Sequence, residues 1–440
     1  MTTRTNRAGR GRPLGRRLSA MAAIGVAVAM LTGAAPASIA GAAAPPTASV
    51  AAGASLDPAL VAQLEAALDA GFAASGMPGV TVGLWIPGQG EWVASRGVSD
   101  LGTATPMDRA NQSKIGSITK TLVGTTALQL IGDGELGLTL DDTIDQWYPN
   151  FPDATQISLR MLMNMSSGIA EPGQDQIDRI CADPYSTITP DEMIAIGASL
   201  PRAHAPGEGF TYSGYNTFLL GRILEKATGS DLGTLIDQRL LGPLGMTRSR
   251  FAPDGQLTAP LNRGYSGFCP NLPDPADTTD WYNHESWAAG AMLSTIDDLH
   301  TWGVALGEGF GLTPAMQAAR IDDDLPMPGF PGYSYGLAIN IHRDPATGCL
   351  LDLNHNGAEP GYGASVGYYS TTGSVFALVG NGDGGTGTAF AEVGLALAPV
   401  VSPIVNTTCA SPVPPPTSAP APAAPAAGVT PVVATPAFTG

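Results

Sequence analysis

Ser117 and Lys120 stand three residues apart in Ser117-Ile118-Thr119-Lys120, and Lys120 is one of only three lysines (Lys114, Lys120, Lys226) in a chain that otherwise draws its positive charge from arginine. On a helix, residues i and i+3 share a face with Cβ atoms roughly 5–6 Å apart, so the lysine amine can reach the serine hydroxyl and take its proton. Arginine could not, because it does not deprotonate in proteins. A serine at a helix start gains further: the backbone N–H groups there favour the negative charge that develops on an attacked carbonyl. Two other clusters suit the same chemistry. Tyr212, in Gly209-Phe210-Thr211-Tyr212-Ser213-Gly214-Tyr215-Asn216, precedes a helical run through Leu219, Leu220 and Ile223, where a phenol can relay a proton to a leaving group. His355-Asn356-Gly357-Ala358 ends a strand-like run that begins near Cys349, and that edge could present the Ala358 N–H as an oxyanion donor beside the N–H of Ser117.

These groups need elements to hold them. The run after Ser117 (Ile118, Leu122, Val123, Ala127, Leu128, Leu130, Ile131) is apolar almost all round and stops at Gly132-Asp133-Gly134, which predicts a buried central helix with the serine at its exposed start. Asp57-Pro58 caps another helix, with Leu60, Leu64, Leu68 and Phe72 on one face. Residues 80–86 and 91–95 flank Pro87-Gly88-Gln89-Gly90 and read as a hairpin. From about 136 to 285 the pattern is helical segments between Pro/Gly/Asp loops. Ser294-Thr295-Ile296-Asp297 then opens a helix carrying Leu299 and Trp302, and β patterns follow at 334–341, 349–354, 364–369 and 374–379. The expected fold is α+β: an antiparallel sheet built from both chain ends and flanked by helices, with a mainly helical lobe inserted.

Six arginines between Arg4 and Arg17, the apolar run 20–31 and small residues about Ser38-Ile39-Ala40 read as a signal peptide over 1–40, so export is expected, by the general or the twin-arginine route. An Ala/Pro linker over 41–56 follows, then a catalytic domain over 57–408. Residues 409–440 form a Pro/Ala-rich tail whose last thirty residues hold nine prolines and no charge, the composition of an extended segment that could associate with a cell envelope. Without the leader, 15 basic residues face 38 acidic ones, a net charge of −23 that excludes nucleic acid as a partner. No later run is long and apolar enough to span a membrane. Four widely spaced cysteines in an exported chain point to two disulfides, and of three pairings Cys181–Cys269 with Cys349–Cys409 keeps each bridge within one lobe.

Taken together, the motifs resemble those of the penicillin-recognising serine hydrolases: class C β-lactamases, secreted DD-carboxypeptidases and related serine esterases. The resemblance spans roughly 57–405. Ile115-Gly116-Ser117-Ile118-Thr119-Lys120-Thr121 resembles the nucleophile motif, and Leu162-Met163-Asn164-Met165-Ser166-Ser167-Gly168 a loop of the helical lobe. Pro206-Gly207 through Tyr212 to Gly221 resembles the second motif, Ala289-Gly290-Ala291-Met292-Leu293-Ser294-Thr295 the return to the sheet, and His355-Asn356-Gly357 the H-x-G form of the third. It implies Ser117 as nucleophile, Lys120 and Tyr212 as proton carriers, and substrate contacts from His355, Gly357, Ala358 and, if it replaces a missing asparagine, Asn216. No metal or cofactor is implied. Gly214 occupies the place of the family's usual asparagine, and histidine stands where potent β-lactamases carry lysine. Both departures favour small esters or D-amino-acid peptides and amides over β-lactams. A β-lactamase is the alternative reading, and a non-catalytic envelope-binding protein the alternative of another class.

Three patterns are set aside. Gly363-Ala364-Ser365-Val366-Gly367 fits the G-x-S-x-G nucleophile elbow, but a strand and turn follow where that motif needs a helix. Asn381-Gly382-Asp383-Gly384-Gly385 lacks the Gly-Lys-Ser/Thr of a phosphate loop. His204, His284, His300 and His342 are scattered and read as structural or exposed.

Overall fold

The computed structural model describes residues 56–171, 173–384 and 388–406. The expected leader, most of the linker, the Pro/Ala tail and Cys409 lie outside the described residues. Leu56, assigned to the linker by its composition, is buried with the core of the first helix.

Asp57 caps α1 (Pro58–Ser75) through its side chain, as the Asp-Pro start predicts. The hairpin β1 (Gly79–Ile86) and β2 (Gly90–Asp100) follows, then the short β3 (Thr105–Pro106) and β4 (Ser113–Lys114). A single 3-10 turn, Gly116–Ile118, leads into α2 (Thr119–Asp133), which is buried from Thr119 to Ile131. Next come α3 (Leu159–Met163), α4 (Gln174–Ala182), α5 (Pro190–Ser199), α6 (Gly214–Thr228), α7 (Leu232–Ile236) and α8 (Gly242–Leu244). The two-residue strands β5 (Arg250–Phe251), β6 (Tyr265–Ser266) and β7 (Ala276–Asp277) interrupt this helical stretch before α9 (Trp287–Gly290), β8 (Met292–Ser294), α10 (Ile296–Glu308) and α11 (Pro314–Asp322). The chain closes with β9 (Leu325–Pro326), β10 (Tyr333–Gly336), β11 (Ile339–Arg343), β12 (Leu350–Glu359), β13 (Tyr362–Tyr369), β14 (Ser374–Gly380) and α12 (Ala389–Val405).

Nine strands form one sheet in the order β3-β2-β1-β14-β13-β12-β11-β10-β9, with antiparallel neighbours throughout. The join between β1 and β14 brings the two ends of the sequence into one sheet, as expected from the β patterns at either end. These central strands are buried on both faces. In β14, Phe376 and Leu378 pack with Leu64 and Leu68 of α1 and Val393 and Leu397 of α12, whereas Val375, Ala377 and Val379 pack with Leu122 of α2 and Trp302 of α10. A strand covered on both sides loses the polar alternation of a half-exposed one, which is why it reads as a nearly continuous apolar run. On the far side of α2, the small sheet β4-β8-β5 ties the segment before Ser117 to the segment after α9.

Two local readings change. The run 334–341, read as one strand, is two strands that meet at Leu337-Ala338, where Ala338 takes a φ of +61° and the two N–H groups donate to Arg320 O and Met163 O. The third motif does not end its strand, because β12 continues through Ala358 to Glu359. Helix α12 adds an element that the patterns above do not include: it contains Pro399 and Pro403, and Phe390, Val393, Leu397 and Val401 form its buried stripe against α1. The disulfide Cys181–Cys269 forms as expected, and the other expected pairing involves Cys409, outside the described residues. Ser365 lies within β13, buried and paired across to Asn356 and Leu378, so no elbow exists there.

Candidate active site

The Ser117–Lys120 pair straddles the junction between the 3-10 turn and α2. Gly116 makes the bend possible: its φ is +50°, and a Cβ there would lie 2.5 Å from Ala358 N. Thr119 then pins the turn, its hydroxyl donating to Gly116 O at 2.7 Å while accepting from Met292 N at 3.0 Å. Lys120 is buried and its Nζ donates to Ser117 Oγ at 2.9 Å and to Ala289 O at 2.8 Å. The second bond fixes the amine beside the hydroxyl. Ser117 itself is half-buried, open enough to meet a substrate.

Strand β12 lies directly against this turn. A Cβ on Gly357 would sit 1.8 Å from Ile115 O and 2.9 Å from Ser117 N, so only glycine allows the strand to come this close. The same packing sets the Ala358 backbone N against Gly116, beside the nucleophile turn.

Tyr212 stands on the loop before α6, with its ring 5.0 Å from Lys120 Nζ and edge-on to Tyr335 at 5.8 Å. The segment 165–170 holds it there: Met165 O accepts from Thr211 N at 3.0 Å, and Ala170 O accepts from Ser213 Oγ at 3.1 Å. Asn216 does not reach the substrate side. It is fully buried, its carbonyl accepting from Ser167 Oγ at 2.5 Å and its amide donating to Met165 Sδ at 3.2 Å, so it braces the loop and leaves the missing asparagine unreplaced.

His355 is buried too, with Nε2 3.1 Å from the Tyr335 hydroxyl and Nδ1 2.6 Å from Asn356 O. Burial first, and the charge of Lys120 second, push its pKa down to about 3 against the opposing pull of Asn356 O. A neutral imidazole can meet a substrate by hydrogen bonding but offers it no positive charge. Its place beside Tyr335 and the Tyr212 ring, 6.3 Å away, makes it a support for the tyrosine.

Sequence reasoning missed two groups. The Ala289 carbonyl lies in a segment that the motifs flagged, but a backbone acceptor has no side-chain signature. Glu171 lies in an ordinary loop, and its Oε2 accepts from Gly214 N, the first N–H of α6, at 2.7 Å. The residue is exposed, with its carboxylate held beside the start of α6. Desolvation raises its pKa, opposed by Lys120, Gly214 and Ser213. A Cβ on Gly214 would meet Ala289 Cβ at 3.5 Å and the Glu171 carboxylate oxygens at 3.9 and 4.0 Å. The carboxylate thus borders the room that a side chain at 214 would enter. Among the described residues, no group of three or more His, Cys, Asp or Glu side chains is placed to hold a metal ion, and no helix is long and apolar enough to cross a membrane.

A serine hydroxyl bonded to a buried lysine, at the head of a central helix packed on an antiparallel sheet, is the arrangement of a class of serine hydrolases. The comparisons agree. The family profile described as Beta-lactamase matches residues 61–398, and the chain belongs to that family of serine hydrolases. Among solved structures it is similar to the D-amino acid amidase from Ochrobactrum anthropi SV3, at 26% identity and a TM-score of 0.67 over 79% of this chain and 99% of that one. It is also similar to a D-stereospecific amidohydrolase from Streptomyces sp., at 26% identity and 0.66 over 75% and 97%. Esterase EstB of Burkholderia gladioli is 28% identical over 57% of this chain and 72% of its own length. The D-aminopeptidase of Brucella anthropi is 26% identical over 65% of this chain, which spans about half (52%) of that protein's length.

Proposed function

We propose that the protein is an exported hydrolase that cleaves amides and short esters of D-amino acids with a free α-ammonium group, through an acyl-enzyme on Ser117. Lys120, once neutral, takes the Ser117 proton as Oγ bonds to the substrate carbonyl carbon. The oxyanion so formed is held by the N–H groups of Ser117 and Ala358. The proton then passes from Lys120, with Tyr212 beside it, to the leaving amine or alkoxide as the C–N or C–O bond breaks, and water releases the acid by the reverse path. Export is supported by the leader-like sequence and by the Cys181–Cys269 bridge.

The observation that carries the substrate class is Glu171, whose carboxylate is seated on the α6 N-terminus within the electrostatic reach of Lys120. A carboxylate so placed would pair with an ammonium next to the scissile carbonyl, whose charge would offset the desolvation that raises its pKa. The similarity to enzymes named for D-amino acid amides and D-stereospecific amide hydrolysis supports the stereochemistry. A β-lactam, by contrast, would bring its carboxylate to a site with a neutral His355 and meet no side-chain amide at Gly214.

The test compares D-alanine p-nitroanilide with its N-acetyl derivative, and both with nitrocefin. Glu171→Gln should lower kcat/KM on the free-amino substrate roughly 10- to 100-fold, the cost of one charge-assisted contact, and leave the N-acetyl substrate almost unaffected. Equal use of the two alanine substrates by the wild type, or nitrocefin turnover above either, would overturn the substrate class.

A further inference from the structure

We infer that Glu359 is a positioning residue for the serine–lysine pair, its carboxylate clamping the turn that carries the Ala289 carbonyl onto the strand that carries the Ala358 N–H. Glu359 follows Ala358 in β12 and shares with Gly357 and His355 the side of the strand that faces the nucleophile turn. Its Oε2 accepts from Ser286 Oγ at 3.0 Å, and its Oε1 lies so close to Gly290 that a Cβ there would be 2.2 Å away. The carboxylate is therefore bonded to the residue that opens α9, the four-residue turn between Ser286 and Ala291, and packs closely against the residue that ends it.

That turn needs a grip. Trp287 takes a φ of +28°, a strained conformation for a residue with a large side chain, and persists there through its N–H bond to Asn283 O at 2.7 Å and the Ser286 contact. Ala289, two residues on, supplies the carbonyl at 2.8 Å that aims Lys120 at Ser117. A turn that relaxed would move the acceptor and with it the amine.

The charge has a second effect. Glu359 is faced by Ser286 from α9, by Lys114 from β4 and by Lys120 from α2. Burial raises its pKa, and Ser286 and the two lysines oppose the rise. Lys114 is spoken for by Trp281 O at 2.6 Å and also feels Asp254 and Asp280. Around Lys120 stand Ser117, Tyr212, Glu171, His355 and Glu359. Attraction to the two lysines thus helps hold an ionised Glu359 where it meets α9.

The inference rests on the reading of Lys120 as the base, and the experiment separates the two. Glu359→Gln replaces the charge-assisted bond from Ser286 with a weaker neutral one, and Ser286→Ala cuts it. In both, kcat should fall about 10-fold with KM within twofold. A residue that only supports the fold would lower the melting temperature and leave kcat per folded molecule unchanged. Wild-type kcat in folded Glu359→Gln, or wild-type kcat in Ser286→Ala should the first variant fail to fold, would overturn the inference. If Lys120→Arg retains full activity, the reading of the base fails instead.

Discussion

Lys120→Arg should lose at least about 10²-fold in kcat while its fold and melting temperature stay close to wild type, the loss expected when a general base is removed. The expectation follows from the two bonds of Nζ, one to Ser117 Oγ at 2.9 Å and one to Ala289 O at 2.8 Å. Arginine can keep the positive charge and the carbonyl contact, but it cannot give up a proton to become a base. Single-turnover acylation with a p-nitrophenyl ester reads the effect at the right step, since a slow deacylation would leave the burst intact. Near-normal acylation by a folded Lys120→Arg protein would mean that another group takes the serine proton.

Gly357→Ala should be as damaging for a different reason. The new methyl would lie 1.8 Å from Ile115 O and 2.9 Å from Ser117 N, both backbone atoms of the nucleophile turn, so the strand or the turn must move away. Either movement separates the Ala358 N–H from the N–H of Ser117. Losing one oxyanion donor typically costs about 10²- to 10³-fold in kcat, and overpacking of this kind destabilises by roughly 1–3 kcal/mol. Gly367→Ala is the control, because its Cβ would meet only Asn354 Cβ, at 3.4 Å. It sits in the neighbouring strand β13 and should keep activity. Equal activity of the two variants would remove the close approach of β12 from the account.

The sequence exposes some parts of this site and hides others for identifiable reasons. Ser117 and Lys120 are legible because a helical spacing of three joins a nucleophile to a rare lysine, whereas Gly357 reads from the sequence as a substrate contact and only the structure shows the close backbone approach that it permits. The capped start of α1, the β1–β2 hairpin and the buried run of α2 are local patterns, so they read correctly. Asn216 misleads because adjacency to Tyr212 does not say which way a side chain points: one turn into α6 it faces Ser167 and Met165, not the substrate side. The charge state of His355 is not legible, because it depends on burial that only the assembled sheet creates. Glu171, Ala289 and Glu359 come from a loop, a backbone carbonyl and a strand that lie 70 to 188 residues apart in the sequence, which no spacing rule connects. Helix α12 is hidden by its prolines, and its amphipathic stripe makes sense only against α1.

The central claim is that Ser117 is the acylated nucleophile, and mass spectrometry of the protein treated with a fluorophosphonate probe tests it most directly. The account predicts a single adduct on the peptide that carries Ser117, lost in Ser117→Ala and slowed in Lys120→Arg. An adduct on Ser365 or any other serine, with Ser117 unmodified, would contradict it.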